Sequence, residues 1–332
     1  MLNRIKRSFS GAESFRELGL LVFILILSVV IQIRNPAFLT ASNISTLLTH
    51  ASILSILAVG MMMVLLTQGI DLSIGSTIAL SGMVSALTVA ANPWVHPAAA
   101  ILIGVGVGIA VGLVNGILVS RFNVLPIIAT LGMMNVVRGL TYVVSGGRWV
   151  SAYQMPREFL RIATGRVFGI NNLIIITIII YVIFYYFINH TMTGRRIYAV
   201  GSNPEAADVS GIPKKRIICL VYVLMGALAG LAGVLWVARY ASAQGDTATG
   251  YELQVIAAVV LGGVSLTGGS GKVSGIILGA LLFGILSNAL PLIGVSPFWQ
   301  QMIQGIVILS AVIINVMVKR RNEYMALKRR EI

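Results

Sequence analysis

The chain has 332 residues, 57% of them hydrophobic and only 10% charged, with a mean hydropathy of +0.94. An ordinary soluble domain carries roughly a quarter charged residues, so this composition excludes one. The formal net charge of +14 does not indicate nucleic-acid binding, because the basic residues are scattered through loops and ends and no basic, aromatic-interleaved segment exists to hold a strand.

The apolar residues form continuous runs rather than alternating with polar ones. A membrane-crossing helix needs about 20 of them. The expected fold is therefore an all-α polytopic membrane protein, a single transmembrane domain with about ten transmembrane or partly re-entrant helices, and not a closed barrel. After a basic tail (Arg4, Lys6, Arg7, Arg16), the first run covers 18–33. It lacks a small-residue cleavage site and is followed by Arg34, so it reads as a span rather than a cleavable leader. The second and third runs cover 44–67 and 72–91, and the third stops at NPWVHP. The fourth, 98–119, places Gly108, Gly112 and Gly116 four apart on one helical face, a spacing that lets another helix approach closely. The fifth, 124–144, contains Asn135 and Arg138, and a long loop, 145–170, follows it. The sixth is 173–188 and the seventh 217–237. The eighth, 253–266, is short for a crossing and broken by glycine. The ninth is 273–293 and the tenth 299–318, ahead of a basic tail ending in Lys328, Arg329 and Arg330.

Ten crossings put both termini on one side. With both in the cytoplasm, the inner loops and tails hold 17 basic residues. The outer loops hold six, namely Arg34, Arg148, Arg157, Arg161, Arg166 and Arg239. The positive-inside rule selects this orientation. The weak point is the eighth run: if it is re-entrant, the later segments change sides unless another break compensates.

Between the sixth and seventh runs lies one polar island, HTMTGRRIYAVGSNPEAADVSGIPKKR, at 190–216. It contains a short helix with its own punctuation, expected over 204–210. Asn203 is a capping type, Pro204 suits the first helical position and Glu205 the first turn. Gly211 can take a left-handed turn, and Pro213 forbids continuation. The charge count puts this hairpin in the cytoplasm.

A second feature is an internal echo. GIDLSIGS at 69–76 resembles GVSLTGGS at 263–270, aligning Gly69 with Gly263, Gly75 with Gly269, and Asp71 with Ser265. Transporters are often built from repeats whose broken helices lie near the path, so a two-half repeat is one reading and chance in a low-complexity chain the other.

No catalytic, metal or cofactor site is expected. His50, His96 and His190 are far apart, the single Cys219 excludes an intrachain disulfide, and no metal-ligand spacing appears. GGSGK at 268–272 fails as a phosphate loop, because Leu266 stands where the first glycine belongs and Val273 replaces the Ser/Thr. Polar residues inside or at the edge of apolar runs are costly and usually face the protein interior or a water-filled path. They are Gln68, Asp71, Asn115, Asn135, Arg138, Glu252, Asn288, Gln301 and Gln304. Capping is favoured over substrate contact for Asp71. For Asn135 and Arg138 path and packing roles are equally open. No dense set of buried carboxylates is present to couple transport to protons or sodium, which points to an external energy source.

Four stretches now carry a resemblance: LTQGIDLSIGS at 66–76, ATLGMMNVVRGL at 129–140, GSNPEAADVSGI at 201–212 and GYELQVIAAVVLGGVSLTGGSGKVSG at 250–275. With the ten-run pattern, the chain resembles the permease subunit of bacterial ABC importers for monosaccharides of the ribose, xylose, galactose and allose type. One departure is Gln254–Val255, where that family usually shows Asp-Ala. The resemblance implies that Glu205, Ala206, Ala207 and Gly211 form an EAA-type coupling element docking on a cytoplasmic ABC ATPase. It further implies a second permease copy or homologue and an extracytoplasmic sugar-binding protein that delivers substrate through the loops at 145–170 and 239–252. Translocation-path candidates are Asn135, Arg138, Gln68, Asp71, Asn288 and Gln304, with Gly69, Gly75, Gly263 and Gly269 at broken helices. The alternatives are the same machine for a nucleoside, a furanosyl signal molecule or a branched-chain amino acid, and an ion-coupled secondary carrier.

Overall fold

The computed structural model describes the backbone of residues 2–328 and the side chains of 17–310, 313, 316 and 317. The basic tail residues used in the charge count lie outside the described side chains. Thirteen α-helices are found among the described residues. They are α1 (Leu2–Arg34), α2 (Ala41–Leu66), α3 (Ile74–Ala91), α4 (Pro97–Ser120), α5 (Pro126–Ser145), α6 (Arg157–Thr164) and α7 (Asn172–His190). The rest are α8 (Met192–Ser202), α9 (Pro204–Val209), α10 (Lys214–Tyr240), α11 (Tyr251–Leu261), α12 (Val273–Leu292) and α13 (Pro297–Lys328). Two short ribbons complete the regular structure: β1 (Val150–Ser151) with β4 (Ser242–Ala243), and β2 (Arg166–Val167) with β3 (Ile170–Asn171). Eight helices among the described residues are long and apolar enough to cross a membrane, namely α1, α2, α3, α4, α5, α7, α10 and α12.

Capping residues in the loops set where several of these helices start. The Thr40 hydroxyl accepts from Asn43 N, Asn171 Oδ1 from Leu173 N, and His96 Nδ1 from Ala98 N just ahead of Pro97. Each partners an amide that the helix itself leaves unbonded.

The core is built on α2. Every residue from Ala51 to Thr67 is buried, as expected for a helix apolar on all sides. It packs against α7, α10, α11 and α12. The tightest pair is α4 with α10, which run antiparallel. A Cβ added at Gly108 would collide with the Gly226 carbonyl, one at Gly112 with the Tyr222 carbonyl, and one at Gly116 with Cys219. Gly104 continues the face against Val234 and Gly230, whereas Gly106 looks into open space. The face read from the four-residue spacing is thus a backbone-to-backbone seam. Lipid tails are as apolar as leucine, so such a seam is held by dispersion between closely approaching backbones rather than by expulsion of water.

The helix ends sort into two levels. On one level Gly269 N donates to Leu66 O at the end of α2 (3.0 Å), and the Gln68 amide donates to Gly201 O at the end of α8 (2.8 Å). On the other, β1 ties to β4, and Arg239 donates to Thr49 O near the start of α2 (2.6 Å). Arg121, Arg195, Arg196, Lys214, Lys215, Arg216 and Lys272 lie at or near the first level, which the positive-inside rule makes cytoplasmic.

The eighth run needed this geometry. α11 has 11 residues and rises about 16 Å, roughly half of a hydrocarbon core about 30 Å thick. The helix ends at Leu261, and 262–266 belong to the turn that follows. The other half of the crossing is non-helical. From the outer end of α10 the chain passes through β4 and descends until the Ala248 carbonyl lies against Gly75, the second residue of α3. Segment 241–250 and α11 together connect the outer level to the inner one, the connection a single crossing requires.

Candidate coupling face and path

The polar island is two helices, not one. Thr191 caps α8, its hydroxyl accepting from Gly194 N (3.1 Å). After Ser202 the chain turns and Asn203 starts α9, Oδ1 accepting from Ala206 N (2.9 Å), with Pro204 at the first helical position. α9 closes on Gly211 at φ +75°, where Gly211 N donates to Asp208 O (2.9 Å) and Ile212 N to Ala207 O (3.0 Å). This pair of bonds is the Schellman closure, and it needs a left-handed residue. The short helix therefore has a fixed start and stop, as its sequence indicates.

Its surface divides clearly. Glu205, Ala206, Asp208 and Val209 are exposed, and Val209 is 91% so. Ala207 is 4% exposed and turned into the core. Of the four residues expected to couple, Glu205 and Ala206 face outward, Gly211 makes the closing turn, and Ala207 anchors the helix from behind. Val209 was not singled out by sequence. It is an apolar side chain left in the open at the end of the helix, and only the α9 register reveals it.

Both members of the internal echo are elbows. α2 ends with Gln68 N on Leu65 O and Gly69 N on Val64 O, and α11 ends with Gly263 N on Val260 O and Val264 N on Val259 O. These are the same closure, using Gln68 at φ +63° in one and Gly263 at φ +95° in the other. In each a side-chain oxygen then accepts from the amide two residues on: Asp71 Oδ1 from Ser73 N (2.8 Å) and Ser265 Oγ from Thr267 N (3.2 Å). The two turns share a closure, but one residue out of the sequence register, since Gln68 rather than Gly69 answers to Gly263, and the second elbow is longer before its next helix. Asp71 also accepts from the Ser73 hydroxyl (2.6 Å), which in turn accepts from Asn115 Nδ2 (2.8 Å). Its carboxylate thus organises the turn into α3. Ser73 itself is the N-cap and makes no side-chain cap bond.

The other polar candidates separate into ties and open positions. Arg138 on α5 donates from one guanidinium nitrogen to Gly245 O and Thr247 O, both at 2.8 Å, holding the descending segment. Asn288 and Asn43 exchange amide bonds at 3.0 Å across α12 and α2. Gln304 accepts from Gln254, 3.1 Å away. Asn135 donates only to its own helix, at Leu131 O, and is exposed. It shares its open face with Gly132, Val136 and Gly139. Gly75 lies against the Ala248 carbonyl and the Glu252 carboxylate, while Gly269 sits in the second elbow at φ +71°. Sequence reasoning also missed a cavity of about 100 Å³ beside Gln254, lined by His50, Trp236, Arg239, Tyr251 and Ser287. Its residues come from four helices with no common motif. On the outer face, Trp149, Tyr153 and Phe168 project from the loop between α5 and α7 with Arg148, Arg157 and Arg166 among them, all exposed.

A family profile described as "Branched-chain amino acid transport system / permease component" matches residues 43–312. The chain belongs to this permease family. It is similar to the ribose import permease protein RbsC of Escherichia coli K12, 41% identical over 316 residues, covering 93% of this chain and 98% of the relative. RbsC of Bacillus subtilis is 40% identical over 300 residues, covering 90% and 92%. The L-arabinose ABC transporter permease protein AraH of Azospirillum brasilense is 39% identical over 310 residues, covering 93% and 90%. No solved structure matches the chain significantly. Membership makes it a multi-pass transport subunit, with α9 on the face where the positive-inside rule puts the cytoplasm.

Proposed function

We propose that this permease is the membrane-spanning subunit of an ATP-driven importer that moves a monosaccharide, a ribose-like pentose or a hexose, across the bacterial cytoplasmic membrane. The names of its relatives, ribose and arabinose permeases, support the sugar class. ATP is hydrolysed on a separate cytoplasmic ABC ATPase that docks on α9. Glu205 and Ala206 meet it, Val209 enters an apolar cleft, and Gly211 keeps the helix closed. The single observation behind this is α9 itself, a short helix with both ends capped and an exposed apolar side chain at its end. A rigid element of that kind transmits displacement, which an open loop does not.

The open face of α5 with Gly132, Asn135 and Gly139 accepts a second permease copy or homologue, and the small residues allow close approach. Asn135 then lines the space between the two subunits. An extracytoplasmic sugar-binding protein docks on the outer loop, where exposed aromatics and arginines lie together. Co-purification of the ATPase with the wild-type chain, and its loss with Val209→Asp, tests the docking. Equal recovery of ATPase with both chains contradicts it.

A further inference from the structure

Behind α9, three distant parts of the chain meet backbone to backbone. Gly201 in the last turn of α8 is pressed against the Leu66 carbonyl at the end of α2, so closely that a Cβ there would overlap it. Gly269 N, from the second elbow, donates to that same carbonyl (3.0 Å). A Cβ on Gly268 would strike Gln68 Cγ and crowd both Leu66 O and Gly201 O. Two side chains close the junction from either side. Gln68 donates its amide to Gly201 O (2.8 Å), and Tyr198, one turn earlier on α8, donates its hydroxyl to Gly271 O (2.7 Å). α8 is thus bonded to the first elbow through Gln68 and to the second through Tyr198 and, at a longer 3.4 Å, through the Ser202 hydroxyl, which donates to Gly269 O.

The first elbow leads inward. Two residues beyond Gln68, the Ile70 carbonyl accepts from the Tyr222 hydroxyl on α10 (3.2 Å) and the Thr130 hydroxyl on α5 (3.3 Å). Thr130 stands on the helix that carries Asn135 and Arg138. Gln68 holds a left-handed backbone, a conformation unfavourable for a non-glycine residue. The surrounding bonds hold it there.

From this we infer that Gln68 and Tyr198 are positioning residues for transport, a latch that converts displacement of α8–α9 into movement of both elbows. The latch rests on the reading that α9 docks the ATPase. When α8 shifts, the glycine contacts carry compression and the two side-chain bonds carry tension, so the elbows follow in both directions. Without the two bonds, the push remains and the pull is left to the longer Ser202–Gly269 contact alone.

The test uses the whole transporter in liposomes, with the ATPase and binding protein encoded alongside the chain, and reads sugar imported per ATP hydrolysed. Tyr198→Phe removes one donor and keeps the ring. Gln68→Met keeps length and removes the other. Loss of a partly buried hydrogen bond weakens a local equilibrium about 5-fold, so each variant is expected to lower sugar per ATP about 5-fold and the pair about 10-fold or more. ATPase co-purification and thermal stability of Tyr198→Phe stay at the wild-type level, which a purely structural role for the bond does not predict. Unchanged sugar per ATP in the double variant overturns the latch. Loss of ATPase binding by Tyr198→Phe also overturns it, since the residue then builds the dock rather than transmitting through it. Val209→Asp runs in parallel. If that variant binds the ATPase normally, the docking reading fails first and the latch falls with it, a result separate from either junction outcome.

Discussion

Replacing Gly211 isolates the closure of α9 from everything around it. At φ +75° the residue lies in the left-handed region, and a Cβ there would meet nothing within 4 Å. An alanine therefore brings no clash, and the cost is the backbone penalty alone, about 1 kcal/mol at the low end of the range for non-glycine residues. That penalty opposes the state in which Gly211 N and Ile212 N reach Asp208 O and Ala207 O. If only the closed helix docks, apparent affinity falls with the closed fraction, and 1 kcal/mol corresponds to at most about 5-fold. Asparagine enters the left-handed region more readily, so Gly211→Asn is expected to lose less than 2-fold. A β-branched valine is expected to lose more than alanine. The assay is titration of the purified ATPase onto the chain in lipid nanodiscs. The order glycine, asparagine, alanine, valine supports the argument. Equal affinities for all four, or asparagine weaker than alanine, refute it.

Three further outcomes follow from the packing. Gly112→Leu drives a side chain into the Tyr222 carbonyl and separates α4 from α10; a large loss of thermal stability is expected, whereas Gly106→Leu on the open side of α4 changes stability by less than about 0.5 kcal/mol. Arg138→Met leaves the Gly245 and Thr247 carbonyls without their charged donor, a change of about 2 kcal/mol; amide exchange across 241–250 should speed about 30-fold, and unchanged exchange contradicts the tie. The Asn43–Asn288 pair predicts that Asn43→Leu and Asn288→Leu each destabilise the chain, while the double variant recovers much of the loss, since replacing both partners of a buried bond removes the unsatisfied group as well. Strict additivity in that cycle shows that the two amides are independent.

Much of the fold is legible in the sequence because lipid imposes one rule, that backbone groups be satisfied within helices. Of the ten apolar runs, eight fold into helices long and apolar enough to cross among the described residues, and the eighth run becomes the shorter α11. Asn203, Pro204 and Gly211 mark α9 because local backbone chemistry fixes a short helix wherever it sits. α8 was hidden, since Arg195 and Arg196 break any apolar pattern there and what defines the helix is its packing on α2 and α10. The length of α11 was hidden because Leu266 continues the apolar run after the helix has stopped at Leu261. For Arg138, its place within a span left a path role and a packing role equally open. Its acceptors are carbonyls more than a hundred residues away, and carbonyls leave no trace in side-chain identity. The junction at Leu66 was hidden for the same reason: Gly201, Gly268 and Gly269 are informative only together, and only folding brings them together.

The most direct test of the central claim is radiolabelled monosaccharide uptake into proteoliposomes containing this chain, with and without its ATPase and binding protein. The account predicts uptake only when both partners and ATP are present, and none from a proton or sodium gradient acting on the chain alone. Gradient-driven uptake by the chain without ATP contradicts it.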